Sequence, residues 1–258
     1  MKINNILVVY YVHNYETLEY VESVLRHYKL NYRCISRDKC SNDIVKKRDL
    51  IIVVGGDGTF LRVTHHVYDA TPILNVTSEY HLNEGFFSRA TKEDFREKLG
   101  MVLKGKYRIK KLPRLETAIN GKKLPVLAIN ELFVGSGHPY HTSRYIIKLR
   151  GKSEFQKSSG ILITTQAGSS GWAKSAAKKK FAIPENGFGY VVREPYFGRL
   201  TKPIMLQGTL KPNETIRIES ITHHGVAVID SSDREHKFVD GYRLEVTMSK
   251  KLVSLIEF

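Results

Sequence analysis

Residues 55–61 read Gly-Gly-Asp-Gly-Thr-Phe-Leu, three glycines around one acid. They follow the apolar run 50–54, which has the look of a strand buried on both faces, and they precede a stretch with helical spacing. Open α/β sheets place ligands at that kind of junction, outside the carboxyl end of a strand. Glycine lets backbone amides approach phosphate oxygens with no Cβ in the way, and a helix amino end adds partial positive charge. Asp57 is the odd member, because a carboxylate among phosphate-cradling amides repels its ligand. It earns its place if it takes a proton from a hydroxyl or helps to hold Mg²⁺, both tasks of phosphoryl transfer. The plainer alternative is a tight turn in which Asp57 caps the helix. The chain has neither a G-x-x-x-x-G-K-[ST] loop nor a G-x-G-x-x-G fingerprint.

Two further constellations carry polar groups on apolar elements. In Leu127-Ala128-Ile129-Asn130-Glu131 an apolar strand would deliver an amide and a carboxylate side by side. Adjacent strand residues face opposite ways, so only one of the pair would point into a site. Lys157-Ser158-Ser159-Gly160 is followed by a strand, and then by the turn Gln166-Ala167-Gly168-Ser169-Ser170-Gly171 and Trp172-Ala173-Lys174-Ser175. Such a hydroxyl- and glycine-rich turn offers donors to phosphate or ribose, although Ser/Gly loops are commonly only loops. Trp172 is a candidate for stacking on a base, with core packing as the alternative.

The elements that must position these residues change character near residue 110. Before it, strand patterns at 2–10, 50–54 and 73–76 alternate with helical ones. The helix 16–28 carries Leu18, Val21, Val24, Leu25 and Tyr28 on one face, with Asn14 as its expected cap. A second follows the glycine turn to about residue 68, and a third has Phe95, Leu99 and Val102 on one face with Thr91 and Asp94 as a capping box. After it, strand patterns dominate: 115–119 into the Asn120-Gly121 hairpin signal, then 124–134, 145–149, 161–165, 215–218, 226–229 and 242–248. The helical candidate there is 170–180. The expected fold is an α/β domain with a mainly parallel sheet over residues 1–110, then a mostly β, sandwich-like domain over 111–258, joined at the basic, acid-free stretch 104–114.

Forty-one Lys and Arg against 26 Asp and Glu give the 258-residue chain a formal charge of +15, which points to anionic partners: nucleic acid, an acidic membrane surface or a phosphorylated small molecule. With 41% hydrophobic and 26% charged residues, the mix is globular and excludes collagen-like, disordered and membrane-spanning classes. The apolar run 6–12 is too short for a membrane span, and no transit-peptide pattern is visible, so the cytoplasm is the expected compartment. Cys34 and Cys40 fit no common zinc spacing and read as reduced thiols. His65 with His66, and His223 with His224, read as unlinked or solvated pairs. Lys178-Lys179-Lys180 reads as a solvated face.

Taken in order, the three constellations resemble the NAD kinase family over most of the chain. GGDGTFL is similar to its signature and residues 127–131 to its asparagine-glutamate motif. KSSG with the Gly168 turn and Trp172 looks like its third conserved region, closest to the mitochondrial-type branch. Val192-Arg193-Glu194-Pro195 and Val228-Ile229-Asp230 also resemble that branch. The resemblance implies an ATP- and Mg²⁺-dependent enzyme that phosphorylates the adenosine-side ribose 2′-hydroxyl of NAD to give NADP. It implies Asp57 as the catalytic acid and Gly55, Gly56, Gly58 and Thr59 around the phosphates. Asn130, Glu131, Ser170, Gly171, Trp172, Ser175 and Asp230 would lie on the dinucleotide. Ser159 stands where bacterial members carry an acid near the nicotinamide ribose. A homo-oligomer is expected, with no membrane and no specific nucleic-acid partner.

Two rivals remain at this level. A lipid or sphingoid kinase of the same superfamily would share the glycine-aspartate turn but not the other two motifs. A non-catalytic nucleic-acid-binding protein would account for +15, with Tyr107 among Lys104, Lys106 and Arg108 as a basic-aromatic strip.

Overall fold

The computed structural model describes residues 3–77, 85–177, 182–199 and 201–258. It divides into two compact units, one formed by Met1–Leu112 with Lys251–Phe258, the other by Pro113–Lys250.

Among the described residues, the sheet of the first unit runs in the order Tyr32–Ser36, Ile6–Tyr10, Leu50–Val54, Pro72–Thr77, Val253–Glu257, Arg108–Leu112, with the short Ala90–Thr91 strand also on Pro72–Thr77. All pairs are parallel except the last, where Val253–Glu257 meets Arg108–Leu112 antiparallel. Leu50–Val54 is buried at every position, as a central parallel strand covered on both faces must be. The helix Tyr15–His27 buries Leu18, Val21, Val24 and Leu25. Asn14 precedes it without a side-chain cap bond. Thr91 and Asp94 do exchange reciprocal bonds, Thr91 N–H to Asp94 Oδ1 at 2.7 Å and Asp94 N–H to Thr91 Oγ1 at 3.4 Å, ahead of the helix Phe95–Leu103.

The second unit is antiparallel. One sheet runs Lys152–Ser158, Ser143–Leu149, Ile216–Ser220, Arg243–Met248, Leu115–Ile119, Lys122–Lys123. The other runs Gln207–Leu210, Phe188–Val192, Ile161–Thr165, Glu131–Ser136, Gly225–Ile229, Glu235–Lys237. Ser143–Leu149 alternates buried and accessible residues, and inward residues of both sheets, such as Tyr145, Ile147, Ile161 and Phe188, share one core. Asn120 and Gly121, at φ 49° and 77°, make the expected hairpin. Arg150 and Gly151, at 52° and 74°, make a second whose Arg-Gly sequence gives a weaker signal.

Three expectations need correction. The second domain was expected to reach residue 258, but its last strand, Val253–Glu257, is buried at four of five positions in the first sheet, where its apolar residues cover the Pro72–Thr77 edge. Within the basic stretch 104–114, Arg108–Leu112 is the outermost strand of that same sheet, an edge blunted by charge. The 124–134 pattern becomes a strand only from Glu131, for a reason that lies in the site described next. In addition, the 170–180 helix is confined to Trp172–Ala176 within the described residues, and the Lys178–Lys180 run and residue 181 lie outside them.

Candidate functional site

In the first unit the buried Leu50–Val54 strand ends at Gly55, and the helix Asp57–Thr64 begins two residues later, with Gly56 in extended conformation as its cap. Gly55 has φ 155°, and a Cβ there would stand 2.7 Å from Thr59 Oγ1, so the turn closes only with glycine. A Cβ on Gly58 would meet nothing within 4 Å among the described residues. The turn is therefore tight on its inner side and open beside the helix start.

Asp57 does not cap its own helix. Its Oδ2 accepts the Phe86 N–H at 2.9 Å and its Oδ1 the Phe87 N–H at 3.0 Å. Phe87 is stacked on Phe60 at 4.5 Å, and Arg89 donates to the Phe86 carbonyl at 2.8 Å, so these amides are themselves held. Burial pushes the Asp57 carboxyl above its ordinary value, and the two amides and the Arg89 charge pull it back only in part. A half-buried carboxylate poised upward in this way can accept a proton. It also fits Mg²⁺, which keeps several waters and uses one or two carboxylates together with substrate phosphates. Among the described residues no three His, Cys, Asp or Glu side chains gather as an all-protein metal cage.

In the second unit Asp230 explains why residues 127–130 are not a strand. Its carboxylate accepts from Ile129 N–H at 2.9 Å, Asn130 N–H at 2.7 Å and Glu131 N–H at 3.1 Å. Three successive amides turn toward one buried acid instead of a neighbouring strand. Their carbonyls face the other way: Asn130 O accepts from Thr165 N–H at 2.9 Å and Thr164 Oγ1 at 3.0 Å, and Ile129 O accepts from Thr165 Oγ1. Gly168 closes the arrangement, since a Cβ there would stand 2.2 Å from Asn130 O. Segments distant in sequence are thus brought together: 129–131, 164–168 and 230. Asp230 holds the backbone that presents Asn130 and Glu131.

Of the presented groups, Asn130 Oδ1 is buried with no hydrogen-bond partner among the described residues, which leaves an acceptor available to a ligand. Glu131 is 4% exposed. Burial first, and the Asp230 charge second, push its carboxyl up to about 7, against a hydrogen bond from Ser231 Oγ at 3.3 Å. Ser170 Oγ donates to Ala167 O at 3.0 Å, whereas Gly171 and Ser175 are exposed. Trp172 stacks on Phe133 at 5.3 Å with the Arg193 guanidinium 4.7 Å from its centroid, so protein groups already engage its ring.

The sequence reading missed Phe86, Phe87 and Arg89, which lie 29 to 32 positions after Asp57 and carry no local pattern. It also missed that His224 joins His138 and His141, with ring centroids 5.7 and 6.1 Å away. Cys34 and Cys40 are free thiols whose burial pushes each up to about 12, consistent with inert thiols.

Comparisons with known proteins bear on the family and the fold. The family model for the ATP-NAD kinase N-terminal domain matches residues 3–107. A probable NADH kinase of Oryza sativa subsp. japonica is 29% identical over 262 residues, covering 93% of this chain and 80% of that protein. An NAD kinase from Archaeoglobus fulgidus, solved in complex with ATP, superposes with a TM-score of 0.78 at 22% identity, over 97% of this chain and 92% of that one. Yeast NADH kinase, complexed with NADH, gives 0.82 at 18% identity, over 100% and 84%. The matched N-terminal domain and the shared fold point the same way: residues 3–107 match the model of the NAD kinase family's N-terminal domain, and the chain as a whole is similar to NAD and NADH kinases.

Proposed function

We propose that the protein phosphorylates NAD at the 2′-hydroxyl of its adenosine-side ribose, with ATP as donor and Mg²⁺ as cofactor, giving NADP and ADP. The observation that carries this reading is Asp57: a half-buried carboxylate with an upward-shifted pKa, fixed by two amides beside an open glycine turn at the start of a helix. A ribose hydroxyl is a weak nucleophile. As its oxygen bonds to the γ-phosphorus, its O–H bond breaks and the proton passes to an Asp57 carboxylate oxygen, while the bond to the β,γ-bridging oxygen breaks and leaves ADP. Mg²⁺, held by the donor's phosphates, would supply charge neutralisation on the transferred group. Gly55, Gly56, Gly58 and Thr59 would surround those phosphates. Asn130 and Glu131, with Ser170, Gly171, Trp172 and Ser175, would bind the dinucleotide, and Asp230 would act through the backbone it holds.

The rice and yeast relatives are named for NADH, which supports the mitochondrial-type branch and makes NADH an acceptor to compare with NAD. We further infer a cytoplasmic homo-oligomer. Tyr140, Tyr196 and Phe197, at 77%, 49% and 53% exposure, line one cavity of the second unit and would suit association. The deciding experiment is NADP formation from NAD, ATP and Mg²⁺ by wild type and Asp57→Asn. A loss of about 100-fold or more in kcat is expected for the variant. Wild type that forms no NADP or NADPH would overturn the kinase reading, and an undiminished variant would remove Asp57 from its role.

A further inference from the structure

In the first sheet, Ile6–Tyr10 lies between Tyr32–Ser36 and Leu50–Val54, with Tyr10 opposite both Ser36 and Val54. From the middle strand the chain steps to one side and then returns to the other, so this is the switch point at which such sheets open a crevice. Tyr11, Arg37 and Gly55 are the first residues beyond the three strand ends. The Arg37 guanidinium lies 3.7 Å from the Tyr11 ring centroid, and its Nη1 donates to Thr59 Oγ1 at 3.3 Å. Thr59 is the residue packed against Gly55 in the glycine turn.

The guanidinium has five N–H donors and, among the described residues, makes only that one hydrogen bond. Its Nε is buried with no hydrogen-bond partner. Asp38 is the nearby acid, with Oδ1 at 3.8 Å from Arg37 Nε and 3.5 Å from Arg62 Nη1, so one carboxylate stands between two arginines. A fork held over an aromatic ring, with donors to spare and net positive surroundings, is arranged to receive an oxyanion. The side chain is 18% exposed, which leaves it reachable.

We propose that Arg37, oriented by Tyr11, is a phosphate-binding residue for the phosphoryl donor, contacting the donor's terminal phosphates beside the Gly55–Thr59 turn. This rests on the kinase reading above and adds a residue that none of the three motifs contains. It assigns Arg37 to donor affinity and leaves the NAD side unaffected.

The test measures KM for ATP and for NAD separately, and the affinity of the full chain for inorganic triphosphate by calorimetry. Arg37→Gln should raise the ATP KM and weaken triphosphate binding by about tenfold or more, with the NAD KM moving less than about threefold. Arg37→Lys should fall between, because an ammonium keeps the charge and loses the fork. Tyr11→Leu should give a smaller loss in the same two readouts. Unchanged ATP KM and triphosphate affinity in Arg37→Gln would overturn the proposal. So would a parallel rise of both KM values together with a lower melting temperature, which is the signature of a purely structural role. If wild type makes no NADP, the kinase reading fails, while the triphosphate titration still decides whether Arg37 binds phosphate.

Discussion

Asp57 in the first unit accepts hydrogen bonds from two consecutive backbone amides, whereas Asp230 in the second accepts from three. Both are acids beside motif residues, and from the sequence both read as ligand-facing. The difference lies in what remains after the backbone has been served. Asp57 is half-buried, on a turn whose outer side is open, and its carboxyl is shifted upward. Asp230 is 7% exposed, and its oxygens are directed at Ile129, Asn130 and Glu131. An acid that anchors one loop can still do chemistry, and one that organises three amides is a framework.

The largest expected effects follow from that contrast. Asp57→Asn should lose about 100-fold or more in kcat and shift stability by about 1 kcal/mol or less, because the amide oxygen still accepts one N–H. Asp230→Ala should lose about 3 kcal/mol or more of stability, seen as a lower urea midpoint, because three N–H groups are stranded away from water. Against a usual total of about 5–15 kcal/mol, that loss alone threatens the fold. If Asp57→Asn unfolds, or Asp230→Ala keeps the wild-type midpoint, the two acids do not differ in the way their surroundings indicate.

Glu131 sharpens the comparison, because it stands beside Asp230 and bears the cost of that neighbour. Its carboxyl rises from 4.5 to about 7, by burial first and the Asp230 charge second. A folded-state pKa above the unfolded one means that the folded chain binds more protons between about pH 4.5 and 7. The penalty for ionising Glu131 is therefore absent below that window and complete above it, up to about 3 kcal/mol. Glu131→Gln carries no charge at any pH. Its stability relative to wild type should climb across this window and be flat on either side, by urea denaturation at pH 5 and pH 8. Parallel pH profiles would mean that Glu131 is not held as a strained carboxylate.

Much of the first unit was legible because its signals are local. The Leu50–Val54 run is apolar at every position, so its burial follows from composition, and the glycines after it define the turn. The Thr91 and Asp94 pair bonds as its three-residue spacing implies. What escaped was set by distance along the chain. Val253–Glu257 has Val253, Leu255 and Ile256 as its apolar residues, and nothing within five residues says that it returns to the first sheet. The segment 127–130 reads as strand because Leu127, Ala128 and Ile129 are apolar, while the acid that bends its backbone lies about 100 positions away. Arg37 was passed over because one arginine after a strand is unremarkable until Tyr11 and Thr59 are seen around it.

The smallest expected effect separates two reasons for a glycine. Gly168 has no room for a Cβ, which would lie 2.2 Å from Asn130 O, whereas a Cβ on Gly58 would meet nothing within 4 Å among the described residues. Packing therefore explains Gly168 but not Gly58, the second residue of the helix Asp57–Thr64. Among the described residues nothing packs against position 58, and the open space beside it is where the donor's phosphates would approach. Gly58→Ala should melt at the same temperature as wild type or slightly higher, and should raise the KM for ATP several-fold by placing a methyl where phosphate oxygens approach the backbone. If stability rises and KM does not move, the space beside Gly58 is not the donor's, and the phosphate contacts of the turn must come from Gly55, Gly56 and the Arg37 fork instead.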